Sequence, residues 1–363
     1  MADQHAQHSP SSKERSDNFK TWIRQQLQTL HPTRPLNELS MTTLRGDAGF
    51  RQYHRLNTQP SMLAVDAPPA HEDSKQFVHL AQYLRPQGID VPAVIAADAE
   101  RGFLLIEDFG DQLLQYELEE SPDSAPILYG EALIELLALQ QSPHARELLG
   151  VYDRENLGAE LALFTDWFLA ELLQYSLSDQ EHQLVQDVFT RLEDSALEQP
   201  QVLVHRDYHS RNLLLKTDGR LGIVDFQDAL WGPITYDLVS LLRDCYLRWP
   251  AEQVRQWALG YGNMAAEAGL LTDVDEAQYL RWFDWMGLQR HLKVLGIFAR
   301  LSLRDGKNHY MDDLPLVIRY VLEACQGYPE LAEFQQWFEQ RLLPLAQQQS
   351  WYRDYRCAGD RPE

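Results

Sequence analysis

The sequence predicts an α+β fold in two parts, a small β-rich N-terminal lobe followed by a larger α-helical C-terminal lobe. Three observations point there. Short apolar runs broken by turn residues crowd residues 38–106. After residue 125 the apolar residues recur mostly at helical spacing. That helical pattern is broken once, by short strand-like pieces at 202–204, 213–215 and 221–224.

Taken in order, residues 1–16 are rich in Ser, His and Gln and read as a disordered tail. From Asn18 to Leu30, Phe19, Trp22, Ile23, Leu27 and Leu30 fall on one helical face. Strands are expected at 39–44, 52–56 and 62–65, with Gly46-Asp47-Ala48-Gly49 turning between the first two. A helix is expected over 73–84, then strands at 91–95 and 102–106. The handover falls near 107–111, which divides the chain into a first lobe over 17–107 and a second over 108–350, with a polar tail at 351–363. In the second lobe, helices are expected over 127–139, 160–177 and 180–197, and again through most of 236–343. Lys216-Thr217-Asp218-Gly219-Arg220 carries the Asp-Gly signal of a tight hairpin.

The 363 residues include 44% hydrophobic residues, enough for one large or two moderate cores. With 54 acidic against 32 basic residues the net charge is −22, which disfavours a nucleic-acid or membrane-surface partner. Three scattered cysteines with no C-x-x-C pair argue against a disulfide framework or a cysteine zinc site. No apolar run is long enough for a transmembrane helix and no signal peptide opens the chain, so a cytoplasmic protein is expected.

The chemistry concentrates after residue 202. An apolar run delivers His205-Arg206-Asp207-Tyr208-His209-Ser210-Arg211-Asn212, a match to the H-R-D-x-x-x-x-N catalytic loop of kinases. Asp207 would accept a hydrogen bond from a substrate hydroxyl and take its proton late. Asn212 and Asp225, the latter ending the next apolar run, would supply oxygen ligands to magnesium bound with ATP. The plain alternative is a set of polar loop residues solvating strand ends. A chemical rival uses His205, Asp207 and His209, which alternate and on an extended segment would share one face, as a zinc site for hydrolysis.

Gly46, Asp47, Ala48, Gly49, Phe50 and Arg51 form a small-residue turn that would lay backbone N–H groups on nucleotide phosphates. Glu107, Asp108 and Phe109, at the handover, would supply hinge backbone to the adenine. In the helix near 285–303, Arg290, Lys293 and Arg300 share one face and would receive a substrate anion; a solvated basic face is the alternative. His209, Arg211 and Asp228 flank the reaction centre and would bond substrate hydroxyls.

These motifs together resemble the aminoglycoside phosphotransferase-like small-molecule kinases over roughly residues 36–310. The resemblance rests on His205 to Asn212, Asp225 and Trp231-Gly232-Pro233-Ile234-Thr235-Tyr236-Asp237-Leu238. Residues 46–53, 65–69, 225–229 and 290–300 are similar to one branch, the bacterial anomeric kinases of N-acetylmuramate and N-acetylglucosamine. The resemblance implies a two-lobed protein-kinase-like fold, ATP and Mg2+, an amino-sugar substrate phosphorylated on its C1 hydroxyl, and a place in peptidoglycan recycling. It implies Asp207 as catalytic base, Asn212 and Asp225 as magnesium ligands, and His205 and Asp237 as supports of the catalytic loop. The lactyl carboxylate of N-acetylmuramate would suit the Arg290 face. Related kinases act on other alcohols, so the acceptor stays open.

One departure stands out. The strand that usually carries a phosphate-holding lysine is Met62-Leu63-Ala64-Val65-Asp66, without one. Arg51 or Arg55 would replace its charge; a nucleotide-binding pseudokinase is the other reading.

Overall fold

A computed structural model describes residues 12–32, 39–44, 49–143 and 145–360. Gly46, Asp47 and Ala48 therefore lie outside the described residues. The chain divides into two compact units. The first holds the N-terminal residues through Asp111 together with Gly222–Gln227; the second holds Gln112–Leu221 and Asp228 onward.

The first unit opens with helix α1 (Ser12–Leu30), which starts earlier than the expected tail boundary at residue 16. Its first turns are anchored by polar contacts that composition does not signal: Arg15 Nε donates to Asp66 Oδ1 at 2.9 Å and Arg15 Nη2 to the Arg101 carbonyl at 2.9 Å. Then come β1 (Met41–Thr43), β2 (Gln52–Leu56) and β3 (Met62–Asp66), helix α2 (Ser74–Leu84), β4 (Val94–Asp98) and β5 (Phe103–Glu107). The strands form one antiparallel sheet in the order β1-β2-β3-β5-β4. β4 begins later than the expected 91–95. Pro92 cannot donate to a ladder, and the approach is instead fixed by Arg85 Nη1 on the Val91 carbonyl at 2.7 Å.

Central strands β3 and β5 are apolar on both faces because both are covered. Phe19, Trp22, Ile23 and Leu27 of α1 pack with Leu56, Met62, Ala64, Phe103 and Leu105 in one cluster. Helix α2 is capped by Asp73, whose side chain accepts from Lys75 N and Gln76 N, and it buries Phe77, Leu80, Ala81 and Leu84. Phe77 stacks on Phe226, ring centroids 4.8 Å apart, which ties the returning segment Gly222–Gln227 into this unit. Ile223 N also donates to the Asp90 carbonyl at 2.8 Å.

The second unit continues with α3 (Leu114–Glu120), α4 (Ala125–Gln140), β6 (Gly150–Val151) and α5 (Arg154–Leu163). α5 runs on as a π-helical stretch over Phe164–Leu172, so the helix expected over 160–177 begins one and a half turns earlier, at the Asp153 cap. α6 (Asp179–Leu197) opens with a capping box of Ser178 and Glu181. β7 (Gln201–Val204) and β8 (Leu213–Leu215) follow at the expected places, as does β9 (Leu221–Ile223), of which Gly222 and Ile223 belong to the first unit. Lys216 N donating to the Arg220 carbonyl at 2.9 Å closes the Asp218-Gly219 turn. β10 (Leu230–Pro233) pairs antiparallel with β7 and parallel with β6. The sequence does not predict it, since Gly232 and Pro233 read as breakers. Gly232 fits because Tyr152 packs so close that an added Cβ would lie 2.8 Å from its Cβ.

Helices α7 (Thr235–Leu242), α8 (Ala251–Glu267), α9 (Glu276–Leu303), α10 (Leu314–Gln326), α11 (Ala332–Trp337) and α12 (Leu343–Ala346) complete the unit. α9 is its axis, buried on nearly every side and shared by one large cluster with the π-helical stretch, α6 and α10. Gly296 permits the closest approach: a Cβ there would fall 2.2 Å from the Leu163 carbonyl oxygen. Among the described residues no helix is long and apolar enough to cross a membrane.

Candidate active site

β7 is a buried strand, and its end hands the chain to the loop that holds Asp207. Asp237, near the start of α7, fixes the exit. Its Oδ2 accepts from His205 N at 2.6 Å and its Oδ1 from Arg206 N at 2.9 Å. Arg206 sits at φ 79°, a left-handed conformation that costs a non-glycine residue about 1–3 kcal/mol. Two hydrogen bonds to one carboxylate offset that strain. Burial lifts the Asp237 carboxyl to about 6, against the pull of His205 and of the two backbone N–H groups.

The loop then turns on itself. His209 N donates to the Asp207 carbonyl at 3.1 Å and Asn212 N to the His209 carbonyl at 2.9 Å. Asn212 Nδ2 donates to the Asp207 carbonyl at 2.9 Å, so its Oδ1 is the acceptor left for another ligand. Tyr208 is fully buried with its hydroxyl on the Ala132 carbonyl at 2.7 Å. Ser210 Oγ donates to Asp244 Oδ2 at 2.7 Å. The segment is therefore not extended, which corrects the zinc-site reading: alternation no longer puts His205, Asp207 and His209 on one face. His205 is buried at 1% exposure, while Asp207 and His209 are half-buried.

Behind Asp207 lies a buried ionic cluster. Glu160 of α5 accepts from Arg206 Nη2 at 2.7 Å, lies 3.0 Å from Lys293 Nζ, and also accepts from the Tyr152 hydroxyl. Lys293 Nζ donates to the Tyr236 hydroxyl at 2.8 Å. Arg290 Nη1 donates to the Arg206 carbonyl at 3.2 Å, its guanidinium 5.6 Å from the Tyr236 ring centroid. Burial works to raise the Asp207 carboxyl, but Lys293, His209, Arg290 and His205 outweigh it and hold it at about 2. Arg290 and Lys293 are thus not a solvated basic face; they are 4% and 6% exposed. Arg300, about 15 Å further along the axis, is half-buried and lies within the field of Arg304 and Asp305 instead.

Among the remaining candidates, burial pulls the His209 imidazole down to about 4, helped by Arg290, His205 and Arg211. It is neutral near pH 7, and its Nδ1 has no hydrogen-bond partner among the described residues. Arg211 donates from Nε to Gln115 Oε1 at 2.7 Å and lies 3.4 Å over the Tyr246 ring. Asp228 is exposed.

In the first unit, Asp225 is exposed, sits at φ 65°, and accepts from Gln227 Nε2 at 2.9 Å. Phe50 is 60% exposed and stacks on His71 at 4.1 Å. A Cβ on Gly49 would meet Glu72 Oε1 at 3.4 Å, and Arg51 is buried beside Glu72. At the hinge, Glu107 Oε2 accepts from Arg85 Nη1 at 2.9 Å and from Ala93 N at 3.2 Å. Asp108 accepts from Arg55, from Ser61 Oγ at 2.6 Å and from Gly110 N at 3.0 Å. Phe109 is buried. Both carboxylates thus have structural partners, and Asp108 is enclosed by its own, at 3% side-chain exposure.

Glu160, Tyr152, Asp244 and Gln115 had no sequence signal. Each reaches the loop from an element at least 30 residues away or from a helix end with no motif of its own.

Comparison with known proteins bears on the family and the fold. The sequence profile of the phosphotransferase enzyme family matches residues 40–272. The chain is 41% identical over 328 residues to the N-acetylmuramate/N-acetylglucosamine kinase of Neisseria meningitidis serogroup B, covering 88% of this chain and 93% of that one. It is 38% identical over 328 residues to the protein of the same name from Pseudomonas putida, covering 89% and 96%. Among solved structures, the ADP-bound aminoglycoside phosphotransferase APH(2'')-Ib superposes with a TM-score of 0.54 at 15% identity, covering 84% of this chain and 98% of that one. That likeness carries the protein-kinase-like fold, and the extended sequence matches carry the family: the chain is a member of the phosphotransferase enzyme family.

Proposed function

We propose that this protein is an ATP-dependent kinase of N-acetylmuramate and N-acetylglucosamine that phosphorylates the anomeric C1 hydroxyl. Its setting would be the cytoplasmic recycling of peptidoglycan sugars. The loop from His205 to Asn212 carries the reading, with Asp207 ionised and its carbonyl held by His209 N and Asn212 Nδ2. The names of relatives that match almost the whole chain supply the acceptor.

Asp207 is too weak a base to strip a resting alcohol. It orients the sugar hydroxyl by accepting its hydrogen bond, and takes the proton as the C1 oxygen bonds to the γ-phosphorus and the bond to ADP breaks. Products are the sugar 1-phosphate and ADP, with the proton passing on to solvent. Asn212 Oδ1 and the Asp225 carboxylate are hard oxygen donors and fit magnesium. Bound with ATP, that ion would neutralise phosphate charge. In this reading the turn over 46–51 and the hinge backbone at 107–109 hold the nucleotide. His209, Arg211, Asp228, Arg290, Lys293 and Arg300 remain the substrate-side candidates; Lys293 already answers Glu160, and Arg290 the Arg206 carbonyl.

The test is incubation with magnesium-ATP and a panel of amino sugars and unrelated alcohols, followed by phosphorus–proton coupling. Phosphate coupled to H1 of the two N-acetyl sugars is expected. Transfer only to other alcohols, or coupling to another carbon, overturns the acceptor. No turnover with any acceptor favours the pseudokinase reading.

A further inference from the structure

Strand β3 carries no cation at all. Arg51 and Arg55, the two arginines that could replace its lysine among the described residues beside the turn, are not equivalent. Arg55 is spent. Its Nε and Nη2 donate to Asp108 at 2.6 and 2.9 Å, its Nη2 also to Asp111 Oδ1 at 2.8 Å, and its Nη1 pairs with Asp111 as well. A guanidinium has five N–H donors, and two carboxylates already claim this one.

Arg51 stands just before β2, whose register with β3 pairs Gln52 with Asp66 and Tyr53 with Val65. It is 8% exposed. Its Nη2 lies 3.2 Å from Glu72 Oε2, and the other oxygen of Glu72 accepts from Phe50 N at 3.0 Å. Glu72 is thereby fixed from both sides. Yet neither Nε nor Nη2 of Arg51 completes a hydrogen bond among the described residues. The guanidinium lies 5.7 Å from the Phe77 ring, and Phe77 stacks on Phe226, the neighbour of Asp225. Tyr53, hydrogen-bonded to Arg51, also lies within the field of Asp225.

A buried cation with unspent donors costs the fold free energy. Such an arrangement suits an anion that arrives later. We propose that Arg51, positioned by Glu72, is the residue of the first unit that binds the nucleotide phosphates in place of the absent β3 lysine. This rests on the ATP-dependent reading above.

The test is titration of the full-length protein with ADP and with adenosine, both with magnesium. The wild type is expected to bind ADP more tightly than adenosine. Arg51→Met is expected to weaken ADP by about 10–100-fold, the value of one or two charge-assisted hydrogen bonds, and to leave adenosine unchanged. Arg51→Lys should recover part of the loss, and Glu72→Gln should show a smaller loss selective for ADP. Should Arg51→Met fail to fold, Glu72→Gln reads the same selectivity with the arginine still present. Unchanged ADP affinity in these variants, or equal losses for ADP and adenosine, overturns the proposal. A wild type that binds no ADP overturns the nucleotide reading itself, and Arg51 with it.

Discussion

Two buried arginine–carboxylate clusters, one in each unit, are built to opposite ends. Around Glu160, an arginine, a lysine and a tyrosine converge on one carboxylate, and its partners Lys293 and Arg206 are paired in turn with Tyr236 and Arg290. Among the described residues, the Nε of each of the two arginines there is buried without a hydrogen-bond partner. Around Glu72, one arginine meets one carboxylate through an Nη2 3.2 Å from Oε2, and among the described residues neither its Nε nor its Nη2 completes a hydrogen bond. The first cluster fixes Arg206, at the stem of the loop that carries the proposed base Asp207. The second, among the described residues, keeps buried donors that complete no hydrogen bond. Burial of a charge does not by itself say whether it serves the fold or a ligand; the share of its donors left unspent does.

The contrast can be broken most directly at Asp207, the group the first cluster holds in place. Asp207→Asn is expected to lower turnover by about 10²–10⁴-fold while ADP affinity, measured by titration, stays near wild type. A parallel loss of ADP binding would mean that the two clusters do not divide the work as described. Next in size is stability. Glu160→Ala leaves the buried Lys293 and the half-buried Arg206 without their counterion and is expected to cost about 3–5 kcal/mol in denaturant unfolding. Arg51→Met breaks a single ion pair with the half-buried Glu72, which keeps its bond from Phe50 N, so it is expected to cost less stability than Glu160→Ala.

A finer cut uses pH. The Asp237 carboxyl, lifted by burial to about 6, protonates below that value and gives up an acceptor for the loop. Turnover should therefore fall as pH drops through about 6; Asp207, held at about 2, does not titrate there. A raised carboxyl pKa means that the folded state binds the proton more tightly than the unfolded chain. The Asp237 contribution to stability thus improves from pH 6 down to about 4 while the rate declines. Asp237→Asn should be slower by about tenfold and flat across that window. A wild-type acid limb that survives the substitution would assign it elsewhere.

What could be read in the sequence was whatever is written in consecutive residues. The loop from His205 to Asn212 and the Asp-Gly hairpin are contiguous, so their turn chemistry is local. The periodicity of α9 placed Arg290 and Lys293 on one face but carried no trace of Glu160, about 130 residues earlier in the chain. Whether a basic face is solvated or paired depends on that distant residue. The early start of α1 was hidden for the same reason, since Arg15 is held by Asp66 and by the Arg101 carbonyl. β10 was missed because Gly232 and Pro233 break strands in general, and only the Tyr152 ring beside Gly232 explains this exception.

The return of Gly222–Gln227 to the first unit has a practical corollary. A fragment ending at Asp111 would lack Phe226, leaving the Phe77 ring of α2 without its stacking partner, and would lack Asp225 besides. The N-terminal part of this enzyme is not a severable module: its covalent boundary is drawn three times along the chain, and no single cut yields it whole.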